Sequence, residues 1–162
     1  MNFQHADRIV YRERSYDLMD QPLEAYFDLI DSRPPFLRPN PSSRGYFADW
    51  AIVDGWLYLT SINALWEDAT PVNLKQLFPL TGERVFAAWL TGPLRCYRVE
   101  SSPIALNNVV RAPDLSMRIN CGRMDTATGA HRPLARPLER APAQAKSAEI
   151  IQFQSRAARI VA

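Results

Sequence analysis

The sequence predicts an α+β fold: a twisted antiparallel β-sheet built of hairpins, with one or two short helices and a Pro/Arg-rich C-terminal extension. Three observations carry that reading. Tyr46–Val53 alternates, with Tyr46, Ala48, Trp50 and Ile52 on one face, then meets Asp54-Gly55 and returns over residues 56–62. Asp-Gly suits a two-residue type I′ turn, because both central positions need positive φ. Residues 84–90 alternate again, turn at Thr91-Gly92-Pro93 and return over 94–99, so a second hairpin is expected there. Finally, Leu23, Tyr26, Phe27 and Ile30 recur at i, i+3, i+4 and i+7, the spacing of one helical face.

The elements follow in order. Residues 8–18 mix β-branched, aromatic and charged residues and read as a short hairpin with its turn near Arg12 to Arg14. Pro22 opens a helix over 22–31, since proline is tolerated in a first helical turn, and Asp20 is placed to cap it. Residues 32–45 form a loop, because their four prolines cannot donate to a ladder. After the first long hairpin, Asn73 is placed to cap a short helix over 74–78 that Pro79 stops. Leu115, Met117 and Ile119 alternate as a further strand that turns near Gly122. Trp50, Ile52, Leu57, Leu59, Phe86 and Trp89 are the expected core.

Composition bounds the function. A chain of 162 residues with 47% hydrophobic and 22% charged residues is sized for one packed domain and an appendage. We divide it into an α+β domain over 1–130 and a basic linker with a short amphipathic helix over 131–162. The net charge of +2 is uneven. Six cations and two acids in 131–162 sum to +4, which leaves −2 for the remainder. The domain therefore has no basic nucleic-acid face, and nucleic acid is not an expected partner. No stretch is long and apolar enough for a membrane span, and the first residues lack a signal pattern, so a cytoplasmic location is expected.

Motifs for catalysis are missing. His5 and His131 lie far apart, and Cys96 and Cys121 have no paired spacing, so neither a metal nor a cofactor is expected. Cys96 stands beside Arg95, which favours a reactive thiolate, but a mid-strand cysteine more often serves as a small buried hydrophobe. No phosphate-binding glycine loop or nucleophile elbow occurs. The enzyme question stays open at this stage, leaning against catalysis.

Residues 44–95 carry a longer pattern: Arg44-Gly45-Tyr46, Trp50, Ile52, Asp54-Gly55, Leu57-Tyr58-Leu59, then Leu77-Phe78-Pro79, then Val85-Phe86-Ala87, Trp89, Gly92 and Leu94-Arg95. This resembles a family of small uncharacterised bacterial proteins. The resemblance brings no established activity and transfers no catalytic residue.

Two readings of function follow. In the first, the chain is a non-enzymatic binding or protein–protein interaction protein, with Trp56, Trp66 and Phe153 as contacts and a protein partner or second copy held through the C-terminal segment. In the second, the chain is a small anionic-ligand-binding protein or an enzyme that uses a sheet-face pocket, with Arg44, Tyr46, Asp49 and Arg95 as its candidate residues. Asp49 would sit on a solvated face or pair with Arg44 or Arg95.

Overall fold

The computed structural model describes residues 6–38, 44–99 and 112–129. The chain runs β1 (Asp7–Tyr11), β2 (Arg14–Leu18), α1 (Pro22–Leu29), β3 (Tyr46–Val53), β4 (Trp56–Ala64), α2 (Leu74–Leu77), β5 (Val85–Phe86), β6 (Gly92–Tyr97), β7 (Leu115–Asn120) and β8 (Arg123–Gly129). The protein is mostly β, with two short helices, and its sheet closes on itself. Around the ring the order is β3-β1-β2-β6-β7-β8-β4, and β4 pairs back onto β3, giving seven staves with β5 flanking β4. Strand directions cannot alternate all the way round an odd-numbered ring. One neighbouring pair must be parallel, and that pair is β1 with β3.

Closure demands strong local curvature, which β-bulges supply. Trp50 pairs with Leu59 and Asp49 with Ser61, so Thr60 is an extra residue in β4. The side chains record it: Leu57 and Leu59 point inward before the bulge, and Ile62 and Ala64 after it. A second irregularity leaves Asp125 extra in β8, between Met124 opposite Ile119 and Thr126 opposite Arg118. Inward residues fill the barrel. Ile9, Leu18, Trp50, Leu57, Leu59, Leu94, Cys96, Leu115, Met117 and Ile119 are essentially inaccessible.

Helix α1 lies across the barrel mouth where β1 and β3 begin. Its expected face is the buried one: Leu23, Tyr26, Phe27 and Ile30 all lose contact with solvent. Phe27 packs against Tyr46 and Phe36 at ring separations of 6.0 and 6.1 Å. Tyr26 sits 4.7 Å from Trp89, whose Nε1 donates to the Pro22 carbonyl. Asn73 caps α2 as expected, in a reciprocal capping box with Gln76.

Three expectations need correction. The sheet is a mixed closed barrel, so the protein is a mostly-β fold with helices at its margin rather than an open antiparallel α+β sheet. Residues 84–90 and 94–99 do not form a hairpin: β5 pairs with β4, whereas β6 pairs with β2 and β7. Gly92-Pro93 starts a strand instead of turning the chain, and the turn lies earlier, where the Leu90 N–H bonds the Ala87 carbonyl. Asp20 does not cap α1. The N-cap is Gln21, with no side-chain bond, and Asp20 instead accepts from the Arg95 amide and guanidinium. Among the core residues, Trp50, Leu57 and Leu59 are fully inside, while Ile52 and Trp89 are partly buried against the core. Phe86 is buried too, but on the outer side of the barrel. His5, His131, Phe153 and the segment 131–162 lie outside the described residues.

Candidate functional site

A polar cluster occupies the barrel mouth, and it grows from the strand pattern. Asp7, Ile9 and Tyr11 share the inward face of β1, so the period-two rule carries a carboxylate inside. Asp7 is 1% exposed. A buried charge is tolerated only when paired and hydrogen-bonded. All three of its donors come from β3 or the residue leading into it. Arg44 Nη2, the Ala48 amide and Trp50 Nε1 each donate at 3.1 Å.

The cluster continues to α1. The Tyr46 hydroxyl donates to Glu24 Oε1 at 2.7 Å, and Arg33 holds both Glu24 oxygens with its guanidinium fork. Arg33 also donates to the Arg44 carbonyl, and the Arg44 guanidinium lies 4.8 Å from the Tyr46 ring centroid. Burial raises the Asp7 carboxyl above its ordinary range, against the lowering pull of Arg44 and the other donors. Burial opposes the charge on Arg44 most strongly, but Asp7 and Tyr46 together outweigh it and the guanidinium is held protonated more firmly than usual. Burial and the bond to Glu24 keep the Tyr46 phenol protonated far above neutrality.

Two cations face two anions here, and each is committed to another member. The arrangement clasps α1 to β1 and β3, with each carboxylate accepting from an arginine.

The sequence-predicted residues separate. Arg44 and Tyr46 meet in this cluster. Asp49 faces outward on β3 and accepts from Ser61 Oγ at 2.6 Å, pairing with neither arginine. Arg95 is exposed on β6 and forms its ion pair with Asp20 at 2.8 Å. The expected pocket joining Arg44, Asp49 and Arg95 is therefore not formed. Cys96 is sealed inside, and burial, followed by the charge of Asp20, pushes its thiol up to about 12. That is the reverse of nucleophile activation, and it overturns the thiolate reading. Cys121 is exposed.

The outer wall presents a different surface. Val10, Ala51, Tyr58 and Phe86 are consecutive cross-strand partners on β1, β3, β4 and β5. Their side chains point away from the lumen, and Val10 is 41% exposed. Trp56 and Phe86 pack edge to face at 5.5 Å beside this row, and the Arg84 guanidinium stacks over Tyr58 at 4.2 Å. Trp56, one of the expected interaction contacts, faces outward and is covered by Phe86. Trp66 is half-buried against Phe36 and donates to Gln76.

Sequence reasoning missed Asp7, Glu24 and Arg33, and also the Tyr58–Arg84 pair. For Asp7 the signal was present, since it lies two residues before Ile9 on an alternating strand.

Among the described residues, no group of His, Cys, Asp and Glu is placed to hold a metal ion, and no helix is long and apolar enough to cross a membrane. An open groove of about 430 Å³ lies beside β4, with Ser61, Ile62, Asn73 and Glu83 among its lining residues. It gathers no catalytic set. No family model, curated protein or solved structure matches this chain.

Proposed function

We propose that this chain is a non-enzymatic interaction protein that offers the outer wall of its barrel to a protein partner. The observation that carries the reading is the contrast between inside and outside. The lumen is filled by side chains, and the polar groups at the mouth are bonded to one another. The outer row of Val10, Ala51 and Tyr58, with Arg84 laid over the tyrosine, stays accessible. Aromatic and arginine side chains on an accessible apolar surface are the types that carry interface energy.

The anionic-ligand reading has less support, because its two arginines are occupied by Asp7 and Asp20. The basic segment 131–162, including Phe153, is a second proposed contact, supported by its composition alone.

The test compares the wild-type chain with Val10→Asp, whose substitution lies on the outer wall. Partner capture is expected to fall in the variant while its melting temperature stays within about 2 °C, as suits a surface change. Unchanged capture by the variant, together with a metabolite that raises the melting temperature of both proteins, would refute the interaction reading.

A further inference from the structure

Resting on that reading, we propose that the partner enters as an extended peptide, which pairs as an added strand with a vacant stretch of the β4 edge. The edge of β4 that faces away from β3 is bonded on both sides of this stretch. The Leu57 carbonyl accepts from the Ala87 amide at 2.9 Å, and Leu59 pairs with Val85. Farther along, the Ala64 carbonyl accepts from the Val72 amide at 3.0 Å, and Leu65 bridges Pro71. Both contacts are antiparallel to β4. Residues 70–72 and 85–87 therefore lie on one line beside β4, and the chain's excursion through α2 interrupts that line.

Ala64 directs its carbonyl to this edge, and backbone groups alternate in direction along a strand, so Ile62 presents its amide and carbonyl there too. Among the described residues no backbone group bonds them on this edge. Four residues separate Leu59 from Ala64, and Thr60 is the bulge residue, so the break is three strand positions long. That is about 10 Å of extended chain. The groove of about 430 Å³ lies at this break, with Ile62, Val72, Gly82 and Glu83 among its lining residues. Its volume falls in the range of sites that hold a ligand. An unbonded donor and acceptor on a strand edge are complementary to another peptide backbone, the basis of recognition by strand addition.

Side chains around the break set what the peptide carries. Lys75 and Glu83 line the groove and are exposed, and among the described residues neither belongs to an ion pair. Glu83 stands two residues before Val85, on the Leu59 side, and Lys75 follows Val72 from the Ala64 side. A strand that completes the line runs from the Ala64 side to the Leu59 side. It therefore matches the groove with an acid near its start, a β-branched apolar residue opposite the buried Ile62, and a base near its end. Opposite charges at the two ends fix direction and register more than they add affinity. Tyr58 and Phe86 form the pair next to Leu59 and Val85, so a partner seated here also reaches the outer row.

The test titrates the isotope-labelled full-length chain with the capped pentapeptide Glu-Thr-Val-Thr-Arg and follows its amide resonances. The Ile62 amide is expected to shift and to saturate with a Kd of about 1 mM, as suits a short, flexible ligand. The same peptide with its valine nitrogen methylated loses a main-chain donor and is expected to bind about tenfold more weakly. The charge-reversed peptide Arg-Thr-Val-Thr-Glu is expected to bind about threefold more weakly, and Lys75→Glu/Glu83→Lys is expected to invert that preference. Both substitutions are on exposed side chains, and the inversion separates a changed groove from a damaged fold. No saturable shift at about 10 mM peptide overturns the proposal, and so does equal binding of the methylated peptide or a preference that the double variant leaves unchanged. If the peptide fails while partner capture still depends on Val10, the groove is the wrong seat and the outer-wall reading stands. If the peptide binds as expected while capture ignores Val10→Asp, the groove stands and the outer-wall reading falls.

Discussion

At the scale of single residues, Asp7 is the position where sequence and structure teach most. Its three donors belong to β3 or the residue leading into it, so one carboxylate ties the first strand to its only parallel neighbour. Removing it would strand the Arg44 charge beside two unsatisfied donors. Asp7→Ala is expected to cost about 3–5 kcal/mol in urea melts, whereas Asp7→Ala with Arg44→Met should recover much of the loss. A single variant with less than half that cost would show that water replaces the carboxylate easily. The pH sign is opposite to that of an ordinary salt bridge. Because burial raises the Asp7 value, its contribution is fully present below its ordinary value of 3.8 and is lost as pH rises through the raised one. Acid unfolding must therefore come from other carboxylates. Cys96 behaves alike at the alkaline end: its contribution is complete below pH 9.0 and lost as pH rises through about 12. Three units correspond to about 4 kcal/mol at the alkaline limit. Cys96→Val should flatten that alkaline loss. In native protein at pH 8 a thiol reagent should label Cys121 and spare Cys96, and denaturant should expose both. Rapid native labelling of both would contradict the sealed position.

At the scale of elements, the sequence was informative wherever structure is local. The first hairpin, α1, the Asp54-Gly55 turn and the Asn73 cap all follow from residues within one turn or one strand pair of each other. Arg44's partner was not legible, because Asp7 is 37 residues away and nothing local announces that β1 inserts beside β3. The false second hairpin failed for the same reason. Alternation reports that 84–90 is extended and half-buried, but not which strand lies next to it. One local feature runs against its own sequence. The β1–β2 turn places Arg12 at φ 49 and Glu13 at φ 63, both left-handed, with no glycine to relieve the strain. Such residues cost about 1–2 kcal/mol each where glycine or asparagine would cost less. Arg12→Asn with Glu13→Gly is therefore expected to stabilise the chain by about 1 kcal/mol, read as a higher urea midpoint at unchanged slope. An unchanged or lower midpoint would mean that contacts of the Arg12 and Glu13 side chains, such as Arg12 over the Tyr11 ring, outweigh the backbone term.

At the scale of the whole molecule, closure is the property that local sequence conceals. The staves are not joined equally. β3 and β4 pair along their full lengths from Tyr46–Ala64 to Val53–Trp56, whereas β4 and β8 share the single pair Trp56–Arg123. That seam is completed by the two tight turns beside it. The Leu57 amide donates to the Gly122 carbonyl and the Met124 amide to the Gly55 carbonyl, both at 2.8 Å. Gly122 is also where the β7–β8 turn presses closest to the chain after β5. Its φ is +78°, and a Cβ there would lie 2.7 Å from the Ala87 carbonyl oxygen, which is backbone and cannot swing aside. The barrel should therefore open first along this line, since regions with few cross-links unfold locally below the global free energy. Native-state hydrogen exchange is expected to show the Thr126 and Thr128 amides exchanging well before those of Ala48 and Trp50. Gly122→Ala should cost more than about 1 kcal/mol and widen that gap, because it strains the seam without touching the β1–β3–β4 ladders. If β8 instead exchanges together with β3, and Gly122→Ala slows or leaves unchanged the difference between them, the seam is as strong as the other stave contacts and the barrel unfolds as one unit.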